Sequence, residues 1–157
     1  MDWVIRPVPV CPAPESPVTD TLSPEARSER MSRIRGKDTK PELLVRTYLH
    51  GAGLRYRLHA KDLPGRPDLV LPKYGTVVFV EGCFWHGHRC QKGRIPGTNS
   101  GFWSTKIMTN QARDRRNHRA LRQAGWRVYR VWECELAKPA RREKVLSRLV
   151  DRIRLDR

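Results

Sequence analysis

The sequence predicts an α/β domain in which helices flank a small mixed sheet, and three observations carry that expectation. Thr76 to Val80 (TVVFV) is continuously apolar and β-branched, the composition of a strand buried on both faces. Trp126 to Trp132 (WRVYRVW) alternates apolar and polar residues as a half-buried strand does. Around these runs lie segments with helix caps and stops. A chain of 157 residues has room for one domain whose core needs no disulfide framework.

In chain order, residues 1–24 hold Pro7, Pro9, Pro12, Pro14, Pro17 and Pro24 with little apolar periodicity. A disordered arm is expected there, ahead of one domain over residues 25–157. A short helix is expected from Ser28 to about Ile34. Thr39-Lys-Pro-Glu42 then has the form of an N-cap with Pro41 in the first turn, which places Glu42 near a helix start. Leu43, Leu44 and Tyr48 are read as its inward side, and Gly51 and Gly53 as its stop. Leu54 to Leu58 and Asp68 to Leu71 are read as strands, joined through a turn at Leu63-Pro-Gly-Arg-Pro67 that leaves Asp68 at the mouth of the second. Glu81 follows the buried strand directly. Lys92 to Ser104 is rich in Gly, Pro and Asn and reads as a loop ending in Phe102-Trp103. A helix is expected from about Lys106 to Gln123, stopped by Gly125, and a basic closing helix from Ala140 to Arg154.

Lys and Arg number 32 against 16 Asp and Glu, a formal net charge of +16. Such an excess favours a polyanionic partner, most simply nucleic acid, although a solvated basic surface or a ribosome-associated protein would share the charge. No run of about 18 apolar residues exists and the N-terminus lacks the form of a secretory signal, so a cytoplasmic protein without a membrane partner is expected. In that compartment four cysteines read as metal ligands or buried thiols rather than disulfides.

Cys83, His86, His88 and Cys90 lie within eight residues, and Cys134 follows the Trp126 to Trp132 strand. These are enough soft and borderline donors for a tetrahedral ion, with zinc the expected metal. A closed site needs four, and Cys83, His88, Cys90 and Cys134 are assigned, which frees His86 for another role; Cys11 stays outside, in the arm. Asp68, the buried strand and Glu81, with Glu42 upstream, form a second constellation, in which strand-end carboxylates hold Mg²⁺. His86 is placed to take a proton from the attacking water or give one to the leaving 3′ oxygen. Solvated strand-end carboxylates would look the same taken alone. Phe84, Trp85 and Trp103 sit among glycine, histidine and basic residues; such rings wedge between base pairs, or else pack over the metal site.

These residues resemble one family, the very-short-patch repair endonucleases, which nick DNA at T:G mismatches left by deamination of 5-methylcytosine. The similarity runs from about Ser28 to Leu136 and includes MSRIRGKDT (31–39), Pro41-Glu42, LPGRPD (63–68), VFVEGCFWH (78–86), Phe102-Trp103, Arg113-Asp114 and GWRVYRVWEC (125–134). It implies a restriction-endonuclease-like α/β fold of the PD-(D/E)XK superfamily with a structural zinc and hydrolysis dependent on Mg²⁺. By position, Asp68 resembles the principal magnesium ligand, the Val80 backbone carbonyl a further one, His86 the catalytic histidine and Glu42 a helix carboxylate of the active site. Phe84, Trp85 and Trp103 match the intercalating aromatics, Met31 and Lys106 positions near the mismatched pair, and Cys83, His88, Cys90 and Cys134 the zinc set. Family members often carry histidine where this chain has Glu81, and the superfamily's usual lysine is replaced by Cys83. A carboxylate at 81 is expected to join the magnesium ligands and leaves His86 the only proton carrier of the motif. The implied substrate is double-stranded DNA with a T:G mismatch, nicked on the 5′ side of the mispaired thymine by a monomer, with mismatch-repair proteins as potential partners. Two other readings predict different behaviour: a zinc-bearing DNA-binding protein without catalysis, and a restriction-type nuclease that cuts matched duplex equally.

Overall fold

A computed structural model of the chain describes residues 38–58 and 60–155, together with Ser23 and Glu29. The arm at 1–24, the helix expected at 28–34, Cys11 and Met31 therefore lie outside the described residues, apart from Ser23 and Glu29. Among the described residues no helix is long and apolar enough to cross a membrane.

Helix α1 (Lys40–Gly51) begins as its sequence dictates. Thr39 is the N-cap, its hydroxyl accepting from the Glu42 amide at 3.5 Å, and a proline occupies the first turn. The inward stripe is Glu42, Val45, Arg46 and Leu49, the i, i+3, i+4, i+7 set of one helix face. Leu43 and Leu44, expected inside, are 48% and 36% exposed because they fall off that stripe, while Tyr48 packs at the core's edge.

Strands β1 (Arg57–Leu58), β2 (Leu69–Leu71), β3 (Thr76–Glu81) and β4 (Arg127–Trp132) form one four-stranded sheet in the order β1-β2-β3-β4. The β1/β2 and β2/β3 pairs are antiparallel, and β3/β4 is parallel. Parallel pairing needs a long crossover. Helix α2 (Ser100–Gln123) supplies it. It starts earlier than the expected Lys106, so Phe102 and Trp103 lie in its first turn rather than in a loop. Its N-cap, Asn99, has positive φ and makes no side-chain capping bond, and Gly101 follows, so the usual start signal is missing. The short α3 (Glu133–Leu136) and the closing α4 (Pro139–Leu155) complete the chain.

Alternation along the strands divides the core in two. Leu69, Leu71, Val78 and Val131 pack with Val45 and Leu49 of α1, Leu136 of α3 and Leu146 and Ile153 of α4. On the opposite face Val70, Val77 and Phe79 meet Ala60 and Leu121 of α2. Helices thus cover both faces, as a mixed sheet with continuously apolar β3 requires. Glu81 follows Val77 and Phe79 by the same two-residue step, so it emerges on the α2 face.

Candidate active site and metal centre

The loop after β3 is held by its own backbone and by α2. His88 N–H donates to Cys83 O at 2.9 Å and Gly93 N–H to Cys90 O at 3.0 Å. From α2, Asn110 donates to Trp85 O at 3.1 Å, and Gln111 to His86 O and Gly87 O, each at 3.3 Å. Gly87 is required at this approach: its φ is +62°, and a Cβ there would lie 2.8 Å from Ile107 Cγ2 and collide with the Gln111 amide. Gly87→Ala should cost about 1–3 kcal/mol of stability. Thermal denaturation checks this; an unchanged melting temperature would show that the loop does not need the close approach.

The loop and α2 bring three ionisable side chains together. Donor atoms of Glu81, His86 and Asp114 lie within 4.8 Å of one another. His86 Nδ1 is 2.6 Å from Asp114 Oδ2, and Arg113 approaches the other Asp114 oxygen at 3.5 Å. Glu81, 3% exposed, accepts from Arg130 Nε at 2.7 Å and from the adjacent Nη2, and its other oxygen lies 3.7 Å from His118 Nε2. His118 is buried against Phe79, and burial lowers its pKa. Glu81, His86, Asp114, Asn117 and His118 line one cleft of about 460 Å³.

Asp68 stands at the neighbouring strand end, where its Oδ2 accepts the Val80 N–H at 2.7 Å. Glu42 lies elsewhere in the bonding pattern. Its two oxygens accept from Thr39 Oγ1 at 2.9 Å, the Asp38 amide at 3.0 Å and Arg46 Nη2 at 2.8 Å, so the structure gives it a helix-capping and ion-pairing role.

A second convergence is made of softer donors. Ligand atoms of Cys83, His88, Cys90 and Cys134 all lie within 4.8 Å of one another, so the four residues assigned from sequence can hold one metal ion. Cys134 reaches the group from α3, its Sγ 3.5 Å from His88 Nδ1. Burial pushes the Cys83 thiol up to about 12, and the hydrogen bond from His88 lowers Cys90 to about 6. A bound cation overrides both, because coordination deprotonates thiols.

Phe84, Trp85 and Trp103 form an edge-to-face cluster, with Phe84 5.2 Å from each tryptophan and the two tryptophans 6.1 Å apart. Phe102 extends it, 5.1 Å from Trp103 and 63% exposed. Lys106 is exposed one turn along α2 from Phe102.

Sequence reasoning missed Asp114 and His118 as members of the cleft, and Arg130 as the partner of its Glu81. A signal existed in α2, where polar Asn110, Asp114 and His118 recur every four residues on the face turned towards β3. Arg130 was the polar member of an alternating strand, indistinguishable there from a solvent-facing residue.

The described residues thus present, on a basic α/β scaffold, a histidine–carboxylate cleft and a cysteine-rich set able to hold a metal. Residues 19–92 match the family model of the DNA mismatch endonuclease Vsr. The chain is 50% identical over 134 residues to a type II nicking enzyme of Xanthomonas oryzae pv. oryzae, covering 85% of this chain and 98% of the relative. It is 48% identical over 137 residues to a type II nicking enzyme of Neisseria meningitidis, covering 87% and 98%. With the DNA mismatch endonuclease Vsr of Escherichia coli it shares 43% identity over 119 residues, 76% of each chain. The chain belongs to the Vsr family of DNA mismatch endonucleases, and it is an endodeoxyribonuclease.

Proposed function

We propose that this endonuclease nicks one strand of duplex DNA on the 5′ side of the thymine in a T:G mismatch, the lesion left by deamination of 5-methylcytosine. The observation that carries the reading is the His86–Asp114 pair lining a cleft, with His86 directly following Phe84 and Trp85 of the aromatic cluster. Asp114 accepts the Nδ1 proton of His86, leaving Nε2 to exchange a proton with the attacking water or the leaving 3′ oxygen. Oxygen donors at the ends of β2 and β3, the Asp68 carboxylate and the Val80 carbonyl, suit Mg²⁺, and a domain of PD-(D/E)XK type over residues 25–157 accounts for their placement. When bound, the ion supplies charge stabilisation at the phosphodiester. The Cys83, His88, Cys90 and Cys134 donor set suits zinc, which ties the loop to α3.

Phe84, Trp85 and Trp103, preassembled, would enter the base stack, a deformation that costs least where pairing is weak. Met31 and Lys106 are proposed to lie near the mispaired bases. The basic surface grips backbone phosphates, and one active site suffices for one nick, so a cytoplasmic monomer on DNA is the working unit. The test compares nicking of end-labelled T:G and C:G duplexes in several sequence contexts, with Mg²⁺ and with chelator. Faster cutting of T:G with Mg²⁺ is expected; equal cutting of matched duplex would instead mark a restriction-type nuclease.

A further inference from the structure

Outside the His86–Asp114 pair, one side chain joins the cleft to the metal centre. The parallel β3/β4 register sets Phe79 beside Arg130 and Glu81 beside Trp132, so Arg130 and Trp132 project on the α2 face two residues apart. Arg130 donates to Glu81 Oε2 from Nε at 2.7 Å and from Nη2. Its guanidinium carbon lies 4.5 Å from the Trp132 ring centroid. That ring in turn stacks on the His88 imidazole, centroids 4.2 Å apart and planes 24° apart. His88 belongs to the cysteine-rich set. A continuous line of contacts therefore runs from the buried cleft carboxylate to a metal-binding imidazole.

The chemistry of each contact suits arginine. Glu81 is 3% exposed, and a carboxylate so buried is retained only with a charged partner. A planar guanidinium donates from its edge to the carboxylate while its face lies on the indole; an ammonium offers no such plane. The Glu81 oxygen that accepts both Arg130 bonds is already committed, and the other faces His118.

We propose that Arg130 is a positioning residue, clamping Glu81 against Trp132 and so fixing the cleft relative to the His88 corner of the metal centre, with Glu81 its anchor rather than a magnesium ligand. The inference rests on the cleft being the active site. It is tested with Arg130→Met, Arg130→Lys, Glu81→Gln and the double variant Glu81→Gln/Arg130→Met, all as the full chain. The readouts are bound zinc, melting temperature, affinity for a T:G duplex, nicking rate at saturating enzyme and the Mg²⁺ concentration for half-maximal rate.

Arg130→Met is expected to keep its zinc, bind DNA within about threefold of the parent and nick about tenfold more slowly, with Arg130→Lys recovering only part of the loss. Glu81→Gln is expected to slow nicking similarly without moving the Mg²⁺ requirement, and the double variant to be no slower than either single one. Multiplying effects in the double variant, a Mg²⁺ requirement raised about tenfold in Glu81→Gln, or full rescue by lysine would overturn the proposal. Should Arg130→Met not fold, Arg130→Lys and Glu81→Gln decide by the same criteria. Failure of the parent protein to nick T:G overturns the functional reading instead, so the two failures are distinct.

Discussion

Asp68→Asn should reduce nicking at least about a thousandfold while leaving the fold intact. Asparagine keeps an acceptor oxygen for the Val80 amide, the bond that seats residue 68 at the end of β3, but removes the negative charge that a hard cation requires. Metal-derived stabilisation of the developing charge amounts to several kcal/mol, and each 1.4 kcal/mol is tenfold in rate. Because the backbone contact survives, the melting temperature should stay close to the parent's and T:G duplex binding should persist. The check is single-turnover nicking beside thermal denaturation. Parent-like nicking by Asp68→Asn would remove Asp68 from the reaction.

Cys134→Ser should strip the metal from the centre and destabilise the protein on the order of 4 kcal/mol or more, the range in which loss of a structural metal falls. Cys134 is the one donor of the four outside the Cys83–Cys90 loop, so a metal held by the set would tie that loop to α3, beside the 2.7 Å Lys92–Glu133 ion pair. Without it, the loop carrying His86, Phe84 and Trp85 is held by the Asn110 and Gln111 hydrogen bonds and by neighbouring rings. The sheet and the α1/α4 layer should remain folded, because their apolar core contains none of the four donors. Limited proteolysis should then cut first in the loop over residues 83–93, and nicking should fall with loop order. A variant with full metal content and unchanged protease resistance would contradict the assignment.

Local chemistry was legible wherever a residue's role follows from its neighbours in sequence. Thr39 and Pro41 announced α1, the β-branched run announced β3, and the spacing of Cys83, His88 and Cys90 announced three donors of a set whose fourth, Cys134, arrives from the far side of β4. Features created by packing were less legible. Leu43 and Leu44 read as core, yet the stripe that packs inward carries Glu42 and Arg46, whose burial depends on their mutual ion pair and on Asp38. The start of α2 was hidden by a left-handed Asn99 and by Gly101, and what orders that first turn is Trp103 against Phe84 and Trp85, a tertiary contact. Asp114 and His118 reach the cleft only because the crossover helix lies over β3. A charged residue in a long basic helix gives no local sign of that.

Glu81 illustrates the same point. Its position at the end of β3 suggested a magnesium ligand; one of its oxygens accepts from Arg130 of β4, a neighbour fixed by parallel register rather than by sequence, and its carboxylate also lies with His86 and Asp114 in a group that could hold a metal ion. Which carboxylates remain for the metal is therefore a question of topology. Asp68, whose Oδ2 accepts the Val80 N–H, is the carboxylate proposed for it.

The His86–Asp114 cleft is the proposed place of DNA cutting. The most direct test is single-turnover nicking of a T:G duplex by His86→Ala, with DNA affinity measured on the same preparation. Removal of a general acid–base group should slow nicking between about a hundredfold and ten-thousandfold, with affinity within about threefold of the parent because phosphate contacts by Lys and Arg dominate binding. Nicking by His86→Ala at the parent rate would exclude His86, and with it this cleft, from the reaction.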